Sequence, residues 1–388
     1  MYRQLQAADI INGKSGKLMQ TARGYLAYIP NPLEPQIDLS LSIVKELSAA
    51  DRALSELAGI TRTLPNPHFL IGPFLRREAV LSSRIEGTQA SFSDLLFFEA
   101  ARMREKEVPD VHEVSNCVQA LEYGLARLST LPVSLRLMRE SHQRLMAGVR
   151  GESQTPGEFR RSQNWIGPAG CSLSDATYVP PPVEEMHAAL DGFEKYLHTP
   201  SEMPSLIRLA LVHYQFEAIH PFLDGNGRVG RLLVTLLLCA EKLLPQPLLC
   251  LSSYFERYQD DYYRNLLAVS QKGAWEQWIR YFLKAVAIQS RDAIQRIDHL
   301  LTLRQEYRTR MQQGRASALL LRLIDELFAF PAITNPAICE RMKITPRSAQ
   351  LNIDKLVDRG MLQEATGRQR NRVYVATEIV DIIERQEK

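Results

Sequence analysis

Apolar residues recur at three- and four-residue spacing through most of residues 40–310, and this regularity decides the fold class. The segments around 41–58, 68–86, 113–129, 133–148, 183–197, 203–218, 228–243, 255–271 and 274–308 each carry that helical period. Pro132 and Pro204 stand just before two of them, where a helix tolerates a missing N–H. No alternation of strand and helix periods is visible, and no internal repeat. The expectation is a mainly α protein. A chain of 388 residues exceeds one ordinary core, so several parts are expected: an N-terminal helical region (1–110), an all-helical core (111–308) and a C-terminal domain (309–388).

Composition enters mainly by exclusion. The net charge is +3, so a basic site for nucleic acid has to be local. The longest apolar run, Leu232–Ala240, is too short to span a bilayer, so no membrane partner is expected. The start, MYRQLQAADI, lacks the basic-then-apolar layout of a secretory signal. The five cysteines are scattered without CxxC spacing, which reads as reduced thiols in a cytoplasmic protein.

Two segments break the helical texture. QNWIGPAGCSLSDATYVPPP (163–182) holds glycines, a triple proline and two extended pieces, so a short β-hairpin or ordered loop is expected there. After Arg315 three helical segments are followed by strand, basic turn and strand. Thr345 is placed to cap the third helix, Pro346 suits its first turn and Gly360 stops it. This order is that of a winged helix-turn-helix. In a DNA complex Arg347, Ser348, Gln350 and Asn352 would face the groove, and Arg368, Arg370 and Arg372 the phosphates. Asp354 and Asp358 on the same helix argue against DNA and for a protein ligand.

The densest chemistry is HPFLDGNGRVGR (220–231), set between apolar runs. A helix starting here directs unpaired N–H groups and a positive dipole end outward. Gly225 and Gly227 permit close backbone approach, and Arg228 and Arg231 are three apart on one face. The combination describes an anion nest suited to phosphate. An acid beside such a nest, Asp224, makes sense with magnesium bridging phosphates. His220 at its mouth suits a general base. There is no GK[ST] and no preceding strand, so this is not a Walker P-loop.

These twelve residues resemble, position for position, the HPFx[D/E]GNGRxxR signature of the Fic (filamentation induced by cAMP) family, and the likeness extends over roughly residues 65–290. The resemblance implies a helical Fic core and transfer of AMP from ATP to a Ser, Thr or Tyr hydroxyl of a target protein. It implies His220 as general base and Asp224 as the Mg²⁺ ligand. It assigns Gly225, Asn226, Gly227, Arg228 and Arg231 to the phosphates, and counts Val229 and Gly230 among the nucleotide-binding residues. Residues 162–182 resemble the family's flap, an edge for an extended target segment, with Asn164, Trp165, Ile166, Gly167, Tyr178 and Val179 at its core. Tyr262 and Tyr263 resemble a tyrosine pair that closes over adenine; Ser270 departs from an asparagine found in some relatives. SSRIEG (82–87) resembles the family's inhibitory motif through Ser82, Glu86 and Gly87, and implies that Glu86 pairs with Arg231 and misplaces ATP. Removal of AMP at the same site, and a nucleotide-sensing transcription regulator, are the alternative functions. Self-modification, DNA contact through the winged helix and a homodimer are the further partners such a chain leaves open.

Overall fold

The computed structural model describes residues 13–33, 35, 37–63, 68–101, 109–168, 170–312 and 317–385. Strands β1 (Gly16–Gln20) and β2 (Leu26–Pro30) form an antiparallel hairpin, with Gly16 opposite Pro30. Helices α1 (Leu41–Thr63), α2 (His68–Ile85), α3 (Phe92–Ala101), α4 (Pro109–Arg127) and α5 (Leu135–Leu145) follow. A long loop then leads to α6 (Val183–His198), α7 (Ser205–Ile219) and α8 (Asn226–Ala240). Next come α9 (Ser252–Arg257), α10 (Gln259–Lys272) and the long α11 (Trp275–Gln312).

Helices α7 and α8 form the centre because nearly every face of each is apolar, and a helix without a polar face has to be buried. Trp278 of α11 is fully buried and donates its indole N–H to the Ala210 carbonyl of α7 at 2.8 Å. Helix α1 runs beside α11, and at their N-terminal ends Ser40 and Ser42 both donate to Glu276 at 2.7 Å. The helix expected over 255–271 is broken at Tyr258 (φ −116°, ψ 46°), which separates α9 from α10.

The C-terminal part comprises α12 (Ala318–Ala329), β3 (Ala332–Thr334), α13 (Asn335–Met342), α14 (Pro346–Asp358), β4 (Gln363–Glu364), β5 (Val373–Val375) and α15 (Thr377–Glu384). Its strands form one antiparallel sheet in the order β3-β5-β4. Thr345 caps α14 by accepting from Ser348 N at 3.3 Å, and Gly360 ends the turn after it at φ 70°. On α14, Arg347 and Leu351 are exposed. Asn352, by contrast, is buried with its amide on the Ser348 carbonyl, and Gln350 is tied to Asp354 and Tyr374. The linker expected after residue 308 is helix to Gln312; residues 313–316 lie outside the described residues.

A single apolar core joins this part to the rest. The Phe328 ring of α12 meets Phe69 of α2 edge-on at 6.3 Å and Tyr307 of α11 at 6.0 Å. Tyr307 in turn donates to Glu378 of α15 at 2.7 Å. Shared burial of this kind makes unfolding cooperative across the chain. Phe328→Ala should cost about 3–5 kcal/mol by opening a cavity at the junction. All three tryptophans lie before residue 279, so in guanidinium their fluorescence reports the body while far-UV circular dichroism reports the whole. The two signals should move together in both proteins; an early transition seen by dichroism alone would show that the C-terminal part unfolds independently.

Candidate active site

Helix α7 ends where it does because Pro221 disfavours helical backbone at the residue before it. His220 therefore caps α7 in the left-handed region at φ 50°, an uncommon conformation for a side chain other than glycine. Its carbonyl accepts from Arg160 Nε at 3.0 Å and from Asn164 Nδ2 at 3.2 Å. The turn after it is closed by Asn226, whose Oδ1 accepts from Phe222 N and whose Nδ2 donates to Phe222 O, both at 2.8 Å. Gly225 then enters α8 at φ 76°. His142 stacks flat on Phe222 with ring centres 3.8 Å apart. Gly157 N–H donates to its Nδ1, so Nε2 carries the proton and donates to Asp224 O at 3.0 Å.

This turn opens into a cavity of about 610 Å³ that receives the flap, the start of α8, the end of α2 and one face of α10. Of the residues singled out in the sequence, His220, Asp224, Gly225, Asn226, Gly227 and Arg231 line it. So do Glu86, Tyr262, Tyr263, Trp165, Ile166, Gly167 and Tyr178. Arg228 does not: it is buried against Glu113 of α4 at 3.1 Å. Val229 is core. Gly230 lies where α8 meets α7, and a Cβ there would collide with Glu217. Ser82 faces Arg231, and Gly87 ends α2 at φ 95°. Asn164 is spent on the His220 turn, and Val179 packs on Ala27 of the N-terminal hairpin. The expected flap hairpin is closed by one antiparallel bridge, Ile166 with Tyr178, around a short 3₁₀ turn at Leu173–Asp175.

Arg231 is held by the last turn of α2 and by the residue that follows it. Its Nε donates to Ser82 Oγ at 2.8 Å, and Nη2 donates to Ser82 O at 2.9 Å and to Glu86 Oε1 at 2.6 Å. Burial opposes ionisation of the Glu86 carboxyl, but the Arg231 charge and hydrogen bond outweigh it and hold that carboxyl below its ordinary range. The same carboxylate lies over Gly227, where a Cβ would strike Glu86 Oε1. An anion thus already occupies the ground above the unpaired N–H groups of the first turn of α8.

Burial, followed by the Arg160 charge, pushes the His220 imidazole down to about 4, so it is neutral at pH 7. Its Nδ1 lies 3.3 Å from the Glu217 carbonyl, which only accepts, so Nδ1 carries the proton and Nε2 keeps its lone pair. Burial also holds His213 neutral, down to about 3. Its Nδ1–H donates to Gly230 O at 3.1 Å, and its Nε2 accepts from the Tyr262 hydroxyl at 2.8 Å. Tyr262 therefore offers the cavity only its ring.

Three participants escape a sequence reading. Arg160 is fully buried and donates only to backbone carbonyls, those of His220, Ser162 and Pro181. Nothing periodic marks it. Glu217 lines the cavity with an oxygen that has no partner, and burial pushes its carboxyl up to about 8. Glu113 could have been found: it lies on the same helical face as the buried Cys117, a place where an acid needs a counter-charge.

Comparison with known proteins identifies what this arrangement resembles. Residues 44–126 match the Fic/DOC family N-terminal model and residues 132–238 the Fic/DOC family model. The protein adenylyltransferase Fic of Drosophila ananassae is 32% identical over 136 residues, covering 34% of this chain and 25% of that protein. Its counterpart from Drosophila yakuba is 27% identical over 179 residues, covering 45% and 32%. The chain thus spans about a quarter to a third of the length of these curated relatives. A Fic family protein from Desulfovibrio desulfuricans has the same fold, with a TM-score of 0.58 at 18% identity over 92% of this chain and 100% of that one. Fic-1 from C. elegans aligns with a TM-score of 0.51 at 20% identity over 66% and 73%.

The Arg228–Glu113 pair generates a stability prediction. Both side chains are almost wholly buried, at 3% and 4% exposure. Removing one partner of such a pair costs about 3–5 kcal/mol, because the other charge is left without compensation. Glu113→Ala should therefore lower the urea midpoint strongly. The double variant Glu113→Ala/Arg228→Met should recover much of the loss. Equal midpoints for the single variant and the parent would mean that Arg228 needs no counter-charge.

Proposed function

This chain belongs to the Fic/DOC family, and on that premise we propose that it is a protein adenylyltransferase held in check by its own Glu86. The substrates are ATP and a Ser, Thr or Tyr hydroxyl of a target protein. The observation that carries this reading is a neutral histidine with a free Nε2 lining the same cavity as an anion nest, with an intramolecular carboxylate seated on that nest.

The residues divide the work as follows. His220 Nε2 accepts the proton of the target hydroxyl as its oxygen forms a bond to the α-phosphorus. The bond from that phosphorus to the β-phosphate bridge breaks, and pyrophosphate leaves. Asn226 and Arg160 hold the His220 turn, so the imidazole is in place before substrate arrives. The first N–H groups of α8 stabilise charge on the phosphates. Arg231 pairs with the terminal phosphate once Glu86 leaves it. Arg228 acts from behind, orienting α8 and adding positive potential.

Asp224 fits a magnesium ion in the manner of a hard cation that takes most of its ligands from phosphates and water. Its side chain is 43% exposed at the cavity, where it meets the adjacent Gly225 N–H and, at 3.8 Å, Arg228. No cluster of three or more His, Cys, Asp or Glu that could form an all-protein metal cage occurs among the described residues. Mg²⁺ there would neutralise phosphate charge. The flap, with Trp165 and Ile166 exposed, serves as the edge on which the target segment lies. The order and pairing of α12 to β5 support reading the C-terminal part as a winged helix-turn-helix. With Asn352 turned inward and Leu351 exposed on α14, a protein ligand for it is favoured over DNA.

Incubation of the full chain with α-labelled ATP and lysate tests the activity. Glu86→Gly should label target and self more strongly than the parent. His220→Ala in that background should lower labelling by about 10²–10⁴-fold while ATP binding persists. Labelling at an undiminished rate would remove His220 from its role. The pH profile is a second check. A base held at about 4 is deprotonated throughout the neutral range, so labelling by Glu86→Gly should stay flat from about pH 5.5 to about pH 8. A rate halved near pH 6.5 would show an ordinary, unperturbed imidazole.

A further inference from the structure

Helix α2, which carries the inhibitory glutamate at its end, is gripped on its opposite side by the C-terminal part. At its start, Gly72 approaches the end of α12 so closely that a Cβ would lie 3.0 Å from the Ala329 carbonyl. The Phe330 ring sits under two guanidiniums, Arg341 at 3.4 Å and Arg76 of α2 at 5.6 Å. One turn on, Arg77 Nη1 donates to Asp292 Oδ2 of α11 at 3.3 Å, and Nη2 to Ser253 Oγ at 3.0 Å. Asp292 is shared. Arg296 takes the same Oδ2 through Nε at 2.8 Å and Oδ1 through Nη2 at 2.7 Å. The remaining donors of Arg296 go to the end of α15, to the carbonyls of Ile382, Ile383 and Arg385.

All three side chains are buried, so their charges have to balance locally. Two guanidiniums face one carboxylate. The missing negative charge comes from the carbonyl end of α15, where the helix dipole is negative. Withdrawal of α15 would leave Arg296 short of three acceptors and draw Asp292 wholly to it. The oxygen then lost to Arg77 is the one it already holds less tightly. A cavity of about 100 Å³ borders Arg77, Arg84, Arg296 and Glu384, so α2 has room to shift once Arg77 is released. Ser82 lies five residues along from Arg77, about 7.5 Å of helix rise, and Glu86 just beyond the helix end.

We propose that the C-terminal part sets the inhibition: through Asp292, shared between Arg77 and Arg296, it holds α2 where Glu86 meets Arg231, and its displacement releases the site. Arg77, Asp292 and Arg296 are positioning residues, acting on the site only through α2. The proposal rests on Glu86 being inhibitory, and the two are separable by experiment.

The test uses the full chain and two readouts, self-labelling from α-labelled ATP and ATP affinity by calorimetry. Arg77→Gln leaves Asp292 paired with Arg296, so it should fold. It should raise labelling and tighten ATP by about fivefold or more, the lower range of a coupling between sites. In a Glu86→Gly background it should add less than about twofold, because the contact it loosens is already gone. Arg296→Lys, which keeps the charge but loses the fork, should behave alike. A purely structural role would instead lower activity equally in both backgrounds, and that outcome overturns the proposal. So does an unchanged Arg77→Gln beside an activated Glu86→Gly. If Glu86→Gly labels nothing while Arg77→Gln still tightens ATP, the transfer reading fails and the coupling stands.

Discussion

Arg231 is the interaction on which the architecture turns. Its guanidinium emerges from α8 at the centre of the molecule and finds its acceptors on α2 and on the residue that follows it. A buried guanidinium without acceptors costs several kcal/mol, so some acid has to be present whenever the site is closed to solvent. Two kinds of group can serve: a carboxylate of the chain itself, or a phosphate. Under the proposed function, the choice between them is the choice between rest and activity. Glu217, with its carboxyl pushed up to about 8 by burial, is a poor third candidate because it is uncharged at neutral pH. Glu86 is ionised, and its side chain is only partly enclosed at 32% exposure, so a ligand can displace it at modest desolvation cost.

The other buried charges follow a different rule. Arg228 has a buried partner in Glu113, which Arg150 also meets at 3.5 Å, and Arg160 has none but carbonyls, which leaves burial to push it down to about 10. Neither is available for exchange. They fix the two sides of the His220 turn: Arg228 through α8 and α4, Arg160 through the backbone of His220, Pro181 and Ser162. The site thus combines one exchangeable ion pair with a rigid frame, and the frame is what holds the strained His220 backbone.

How much of this the sequence discloses depends on how local the cause is. The stretch 220–231 is legible because its chemistry is contiguous: cap, turn, nest and arginines all lie within twelve residues. Thr345, Pro346 and Gly360 are legible for the same reason, since capping is decided within a turn. The pairing of Glu86 with Arg231 came only through a family likeness, because 145 residues separate them. Arg160 acts across elements and leaves no periodic trace; Asp292 and Arg296 stand i,i+4 on one helix, but their ties to Arg77 and to the end of α15 are not written in that spacing. The β1–β2 hairpin was not expected at all. Its segments GKLMQ and LAYIP are short and only partly alternating, and they become strands by pairing with each other and leaning on the flap. Helix α15, which is amphipathic and follows directly on β5, was not expected either.

That hairpin changes what the flap is. A loop closed by one bridge would be a soft edge, since a lone pair of strand residues has little to hold it. Here Tyr28 N donates to Val179 O at 2.8 Å, Tyr25 donates to Gln163, and Ala27 packs on Ala176 and Val179. The flap is therefore the outer member of a layer that begins with β1. Tyr28 also reaches inward, donating to Ser15 and lying 3.4 Å from Tyr214, whose hydroxyl meets Ser270 on the cavity wall. Tyr178 closes the circuit: its backbone pairs with Ile166, and its hydroxyl donates to Ala218 O at 2.8 Å, two residues before His220. Together with Arg160 N on Pro221 O, this ties the flap to the His220 turn from both sides. Under the proposed function, an extended target segment laid along the flap would be positioned relative to Nε2 by backbone hydrogen bonds. A site of that kind would select a hydroxyl by its place along a strand, and ask little of the side chains around it.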